Sequence, residues 1–153
     1  MGKISAIPEG LRSLTPNLTV EGAADAIAFY GRAFGAVEVS RVIDPGGTKV
    51  WHAMLRFGDS ILFINDAFPG MSEPMPTKLW IYSEGIDAAF KRAVDAGAKA
   101  TMPPMDMFWG DRMAQVTDRW GNLWALAERT QDLSPDEMKK AQDAFLASQR
   151  KKE

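Results

Sequence analysis

The chain carries the same order of features twice, 63 positions apart. Glu21-Gly22 precedes one helical pattern and Glu84-Gly85 a second; Gly58 marks the last turn of the first stretch and Gly121 that of the second. A single spacing kept ahead of a helix and again two strands later points to a duplicated unit, strand–helix–strand–strand–strand. Such a unit cannot close a core with one helix alone. It must lay the helix on one face of a small antiparallel-rich sheet.

The elements follow from periodicity. Ala23, Ala26, Ile27, Tyr30, Ala33 and Phe34 form one helical stripe that stops at Gly35, and Ile86, Ala89, Phe90, Ala93 and Val94 form another. Strands are expected over 14–20, 37–43, 50–57 and 60–65 in the first copy. In the second they are expected over 78–82, 99–102, 113–117 and 123–127, with Pro103-Pro104 ending the second of these. Residues 67–77 hold Pro69, Gly70, Pro74 and Pro76 and read as a linker. Past Arg129, Ser134-Pro135-Asp136-Glu137 is a helix start, with Ser as N-cap, Pro at the first position and Glu completing a capping box. The division is therefore one domain with modules at about 14–66 and 77–128 and a C-terminal helix at about 134–150.

Alternation assigns faces. Trp51, Ala53, Leu55 and Phe57 suit a position under the helix, leaving Val50, His52, Met54 and Arg56 on the other side. Thr15, Asn17 and Thr19 correspond, at the repeat spacing, to Lys78, Trp80 and Tyr82; His52 and Met54 correspond to Gln115 and Thr117. A partly polar, partly aromatic face is what a small-molecule site requires. A merely solvated face is the alternative, and Trp80, Tyr82, Met54 and Leu62 speak against it.

Composition removes several function classes. A net charge of −2 gives nucleic acid no electrostatic purchase. With no cysteine, thiolate metal sites, disulfides and a cysteine nucleophile are excluded, and the chain is compatible with a cytoplasmic location. No apolar run approaches the ~20 residues of a membrane span. There is no phosphate-binding loop, dinucleotide fingerprint or serine-nucleophile motif.

The stretches LTPNLTVEGAADAIAFYGRAFGA, HAMLRFGDSILFIND, IYSEGIDAAFKRAVDAGA and FWGDRMAQVTDRWGNLWALA resemble the vicinal oxygen chelate superfamily. That superfamily includes glyoxalase I, bleomycin-resistance proteins and extradiol dioxygenases. The chain looks most like its PhnB-like branch. The resemblance covers about Leu14 to Glu128. It implies an α+β fold: two βαβββ modules form an incomplete barrel with a concave pocket, helices outside, usually in a homodimer.

In metal-using members each module supplies two ligands, one at the start of its first strand and one four residues past the turn glycine. The corresponding positions here are Thr15 and Leu62, then Lys78 and Ala125. Leu and Ala cannot ligate, Thr is a poor ligand, and the Lys ammonium repels a cation. No metal and no cofactor is expected, which puts glyoxalase-type isomerisation, dioxygenation and metal-assisted thiol transfer in doubt.

The remaining candidates are few. His52, the single histidine, is a general base or simply a sheet-face residue. Lys78 and Arg56 would draw a carboxylate or phosphate, unless paired internally. Asp111-Arg112 falls in the branch's Gly-Asp-Arg segment and is either a pocket rim, with Arg112 reaching inward, or a structural ion pair. Trp80 and Trp109 offer stacking surfaces. The expected ligand-binding set is completed by Thr15, Asn17, Met54, Leu62, Gln115 and Ala125. The leading expectation is a metal-free protein that binds a small organic, potentially anionic, molecule. The alternatives are a lyase-, isomerase- or transferase-type enzyme using His52 and Lys78, and a non-catalytic dimeric scaffold.

Overall fold

In a computed structural model, which describes residues 2 and 4–152, the chain divides into two compact units, one up to Thr77 and one from Lys78. The first holds β1 (Asn17–Val20), α1 (Ala23–Phe34), β2 (Val37–Ile43), β3 (Val50–Phe57) and β4 (Ser60–Asp66). The second holds β5 (Lys78–Tyr82), α2 (Ile86–Asp95), β6 (Lys99–Asp106), β7 (Asp111–Thr117), β8 (Leu123–Arg129) and α3 (Pro135–Arg150). Each sheet is open, four-stranded and mixed, in the orders β1-β4-β3-β2 and β5-β8-β7-β6. The first strand of each unit runs parallel to the last, and the other pairings are antiparallel. The fold is α+β.

The helices lie where the apolar stripes require. Tyr30 and Phe34 of α1 meet Phe57 of β3, with ring centroids 6.3 and 6.4 Å apart. Leu18, Val20, Ala53, Leu55, Leu62 and Ile64 are all at most 4 % exposed. Trp51 departs from this expectation: it is 46 % exposed and leans on Phe68 of the linker. In the second unit α2 packs on β6, β7 and β8, burying Ile86 and Ala93 on its side and Ala114, Val116, Trp124 and Leu126 on the sheet's.

The duplication extends to the helix starts. Gly22 and Gly85 are both left-handed N-caps, at φ 77° and 72°, and neither has a side chain to cap with. A carboxylate from the end of the last strand takes over. Asp66 accepts from the backbone N–H of Gly22 and Ala23 at 2.9 and 2.8 Å, and Glu128 from those of Gly85 and Ile86 at 3.0 and 3.4 Å. Each acid satisfies orphan donors and faces the positive end of its helix.

Several strand boundaries differ from the periodicity reading, two of them by more than two residues. β6 runs on through Pro103-Pro104 to Asp106, with a register shift between Met102 and Met105. It is an edge strand, where a missing N–H can face away from the ladder. β1 begins at Asn17, leaving Leu14 87 % exposed ahead of it. The C-terminal helix starts as expected, with the Ser134–Glu137 capping box formed in both directions.

Candidate functional site

Register decides which side chains share a face, since directly paired residues project to the same side and neighbours along a strand to opposite sides. In the first unit, Asn17 pairs with Phe63, Phe63 with Met54, and Met54 with Ser40. This row, together with Thr19, Asn65, His52 and Arg56, faces away from α1. Its polar members bind one another. Asn17 Nδ2 donates to Asn65 Oδ1 at 3.0 Å and Thr19 Oγ1 to the same oxygen at 3.3 Å. Asn65 Nδ2 donates to Ser72 Oγ at 2.8 Å, and the Thr19 and Ser72 hydroxyls share a hydrogen bond of 2.9 Å. His52 stands edge-on to Phe63, with centroids 4.6 Å apart. Arg56 is exposed, and Thr15 is half-buried just ahead of β1.

In the second unit, Trp80 pairs with Ala125 and Ala125 with Gln115; Tyr82 pairs with Ala127 and Ala127 with Met113. Asp111 belongs to the same face, because its Oδ2 accepts from Tyr82 Oη at 2.8 Å and from Trp109 Nε1 at 2.9 Å. Asp111 is only 6 % exposed, whereas Trp80 is 43 % and Tyr82 60 % exposed. The Trp80 and Tyr82 rings are stacked, 6.2 Å apart and 24° from parallel. The Lys78 ammonium lies 5.9 Å from the Trp80 ring centre. Donation to Asp111 first, then burial and the carboxylate's charge, hold the Tyr82 phenol above its ordinary pKa. The hydroxyl is thus fixed as a donor.

The loop ahead of β7 is built around Gly110. At φ +98° it occupies a backbone region that side chains avoid, and a Cβ there would sit 2.8 Å from the Gln131 carbonyl oxygen. Its own carbonyl accepts from Thr130 N and Gln131 N at 2.9 and 3.0 Å. This turn fixes where Trp109 and Asp111 emerge.

Two expected site residues point elsewhere. Arg112 lies on the helix side of β7, where its guanidinium meets Asp87 of α2 at 2.7 Å and Asp106 at 3.1 Å. These two carboxylates hold the Arg112 pKa above its usual value, and the guanidinium holds that of Asp87 below its own. The structural ion pair is what forms, and Arg112 does not reach the face that carries Asp111. Leu62 is also on the helix side: it pairs with Leu55 and is 4 % exposed. Phe63, opposite Asn17, is the counterpart of Ala125, opposite Trp80. By the same pairing Met54 corresponds to Gln115, not to Thr117.

By strand pairing, the positions that answer to the ligand positions the resemblance implies are Thr15 and Phe63 in the first unit and Lys78 and Ala125 in the second. An aromatic ring, an alanine and an ammonium do not fit a divalent cation. Among the described residues no group of three or more His, Cys, Asp or Glu side chains is placed to hold a metal. The polar members of these faces that the expected ligand-binding set omitted, although alternation had placed Thr19 and Tyr82 there, are Thr19, Asn65, Ser72 and Tyr82. Alternation was enough to find Thr19, Asn65 and Tyr82; Ser72 comes from the linker and had no periodic signal.

Sequence comparison places this geometry. The family model described as Glyoxalase/Bleomycin resistance protein/Dioxygenase superfamily matches residues 12–126. The chain belongs to that superfamily. An uncharacterized protein of Mycobacterium bovis is 37 % identical over 139 residues, covering 84 % of this chain and 91 % of the relative. An uncharacterized protein of Mycobacterium tuberculosis shows the same identity, with 81 % of its length covered. Among solved structures, TioX from Micromonospora sp. ML1 superposes with a TM-score of 0.66 at 23 % identity, over 77 % of this chain and 98 % of TioX. A gene product of Arabidopsis thaliana gives 0.60 at 27 %, over 77 % of this chain and 99 % of that one. A PhnB protein from Bacillus cereus, described as a putative 3-demethylubiquinone-9 3-methyltransferase, gives 0.59 at 19 %, over 76 % of this chain and 99 % of that one. These likenesses establish the glyoxalase-type fold. No described helix is long and apolar enough to cross a membrane.

Proposed function

We propose that this superfamily member binds a small organic molecule on the sheet faces turned from its helices, with no metal at the superfamily's ligand positions. The observation that carries the reading is the side-chain set at those positions, Thr15, Phe63, Lys78 and Ala125, which offers a cation nothing to hold. Exposed Arg56 on the first unit's face and exposed Lys78 on the second's each offer an anionic group a positive partner, so the ligand carries an anionic group. Asn17 and Met54 on the first unit's face, and Trp80, Trp109 and Gln115 on the second's, supply mixed polar and apolar contact on each. The Gly-Asp-Arg segment, Gly110-Asp111-Arg112, supports a place in the PhnB-like branch, and the working form is taken to be a cytoplasmic homodimer. A catalytic role for His52 and Lys78 gains no particular support. His52 packs against Phe63 and Lys78 over Trp80, contacts that account for each without chemistry.

The test is a thermal-shift panel of small carboxylates, phosphates and neutral organics, run in EDTA. Anionic members should raise the melting temperature of the wild-type protein, and the combined variant Lys78→Ala/Arg56→Ala should lose that shift. Survival of the shift in the double variant would defeat the anionic part. Absence of any stabilising compound would defeat the binding reading itself.

A further inference from the structure

The helix-free face of the second unit has two chemically different ends. Along β5, Lys78, Trp80 and Tyr82 project to one side at alternate positions. At one end stands the Lys78 ammonium. Four residues on, about 13 Å at the usual strand rise, the Tyr82 hydroxyl leads to the Asp111 carboxylate. Between them are the stacked, exposed Trp80 and Tyr82 rings. Ala125 and Ala127, paired with those two residues, bring no bulk that would push the rings aside.

Asp111 is the informative group. It is 94 % buried by its exposure of 6 %, yet both its side-chain bonds fall on Oδ2. Among the described residues no donor sits on Oδ1. No buried side-chain nitrogen or oxygen among the described residues lacks a partner, so Oδ1 is an accessible acceptor, left open to a ligand or to water. The two donors already present hold the carboxylate rigid, and hydrogen bonding to an anion enriches the electron density of the Tyr82 and Trp109 rings.

We propose that this face takes a flat aromatic molecule that is polarised end to end. Its anionic group meets Lys78, its ring lies on Trp80 and Tyr82, and an N–H at its far end donates to Asp111 Oδ1. This rests on the binding reading above and adds the donor end and the aromatic ring. Ring-on-ring contact selects a planar π-system, and an anionic acceptor with no donor of its own on that oxygen favours ligands that carry one. Asp111 contacts the ligand directly and also positions Tyr82 and Trp109.

The probes are 6-amino-2-naphthoate, 2-naphthoate and the saturated decahydro-2-naphthoate, each titrated into the full chain by calorimetry. The amino compound should bind about tenfold tighter than 2-naphthoate, the expected worth of one hydrogen bond to a charged acceptor. 2-Naphthoate should in turn bind several-fold tighter than its saturated analogue. Asp111→Asn should abolish the preference for the amine, because one amide end is a donor. Tyr82→Phe, which keeps the ring and frees Asp111, should retain it. Equal affinity for the amino and plain naphthoates overturns the donor assignment in the wild-type protein alone. Equal affinity for the saturated acid overturns the stacking. In both cases a Lys78→Ala variant that still weakens all three acids leaves the anion-binding reading standing. No binding of any probe, beside positive hits in the thermal-shift panel, overturns this inference alone; no binding in either experiment overturns both.

Discussion

Tyr82 donates its phenolic hydrogen to Asp111 across 2.8 Å, although the tyrosine is largely exposed and the aspartate is not. A buried acid thus anchors an exposed ring. The ionisation of the phenol reports on the anchor. The unfolded phenol ionises near pH 10, and the folded one ionises higher. Its contribution to stability is therefore complete below pH ~10 and lost as pH rises through the folded value. Ultraviolet titration of wild-type protein should show Tyr82 ionising late. Asp111→Ala should bring that step back toward the ordinary value. An unchanged titration in the variant would mean the hydrogen bond does not hold in solution.

Gly110→Ala should destabilise the chain by about 2 kcal/mol or more, combining an unfavourable positive φ with a clash against a backbone carbonyl. Chemical denaturation measures it. Tryptophan fluorescence should change as well, since Trp109 is the adjacent residue. A neutral outcome would mean the 107–111 turn is not the rigid support described above.

The duplicated helix caps should be unequal. Asp66 is buried, and beyond the two helix-start donors it accepts from Val50 N at 2.7 Å; Glu128 is only half-buried and serves two donors. Asp66→Ala leaves three N–H groups, two of them buried, without an acceptor, for a loss of about 3 kcal/mol. Glu128→Ala should cost about 1 kcal/mol. Equal losses would contradict the asymmetry.

Arg112→Gln should lower stability only slightly, since its partners Asp87 and Asp106 are largely exposed. Binding of any ligand to the opposite face should be unaffected. The Asp87 carboxyl, now without its guanidinium, should titrate at a higher pH than in the wild type, as followed by NMR. A loss of ligand affinity in this variant would put Arg112 back at the site.

Much of the fold could be read from residues alone. Both α1 and α2, the capping box at Ser134 and most strands follow from stripes, alternation and turn residues. The ligand positions depended on finer information. A common spacing of 63 holds from Asn17 to Trp80, but Phe63 and Ala125 stand 62 apart, and Met54 and Gln115 stand 61 apart. Turn length accounts for the step from 61 to 62: β3 and β4 are joined through Gly58-Asp59 alone, whereas β7 and β8 are joined through Asp118 to Asn122. Asp118 organises that longer turn by accepting from Trp120 N, Asn122 N and Trp124 Nε1, each at 2.9 Å. Matching Gly58 with Gly121 therefore slipped the last strand by one residue and turned Leu62 onto the wrong face. Arg112 was recoverable from parity, because it cannot share a face with Gln115. The cross-links from Ser72 and from Asp111 join segments distant in sequence, and no local pattern announces them.

We propose that this chain binds its ligand without a metal at the positions where metal-using members of the superfamily hold one. The most direct measurement is elemental analysis of protein dialysed against a mixture of zinc, nickel, manganese and iron(II) salts and then gel-filtered. Metal content well below one ion per chain, with ligand affinity unchanged by EDTA, is the predicted result. One divalent ion retained per chain, or ligand binding that disappears with EDTA and returns with metal, would contradict it.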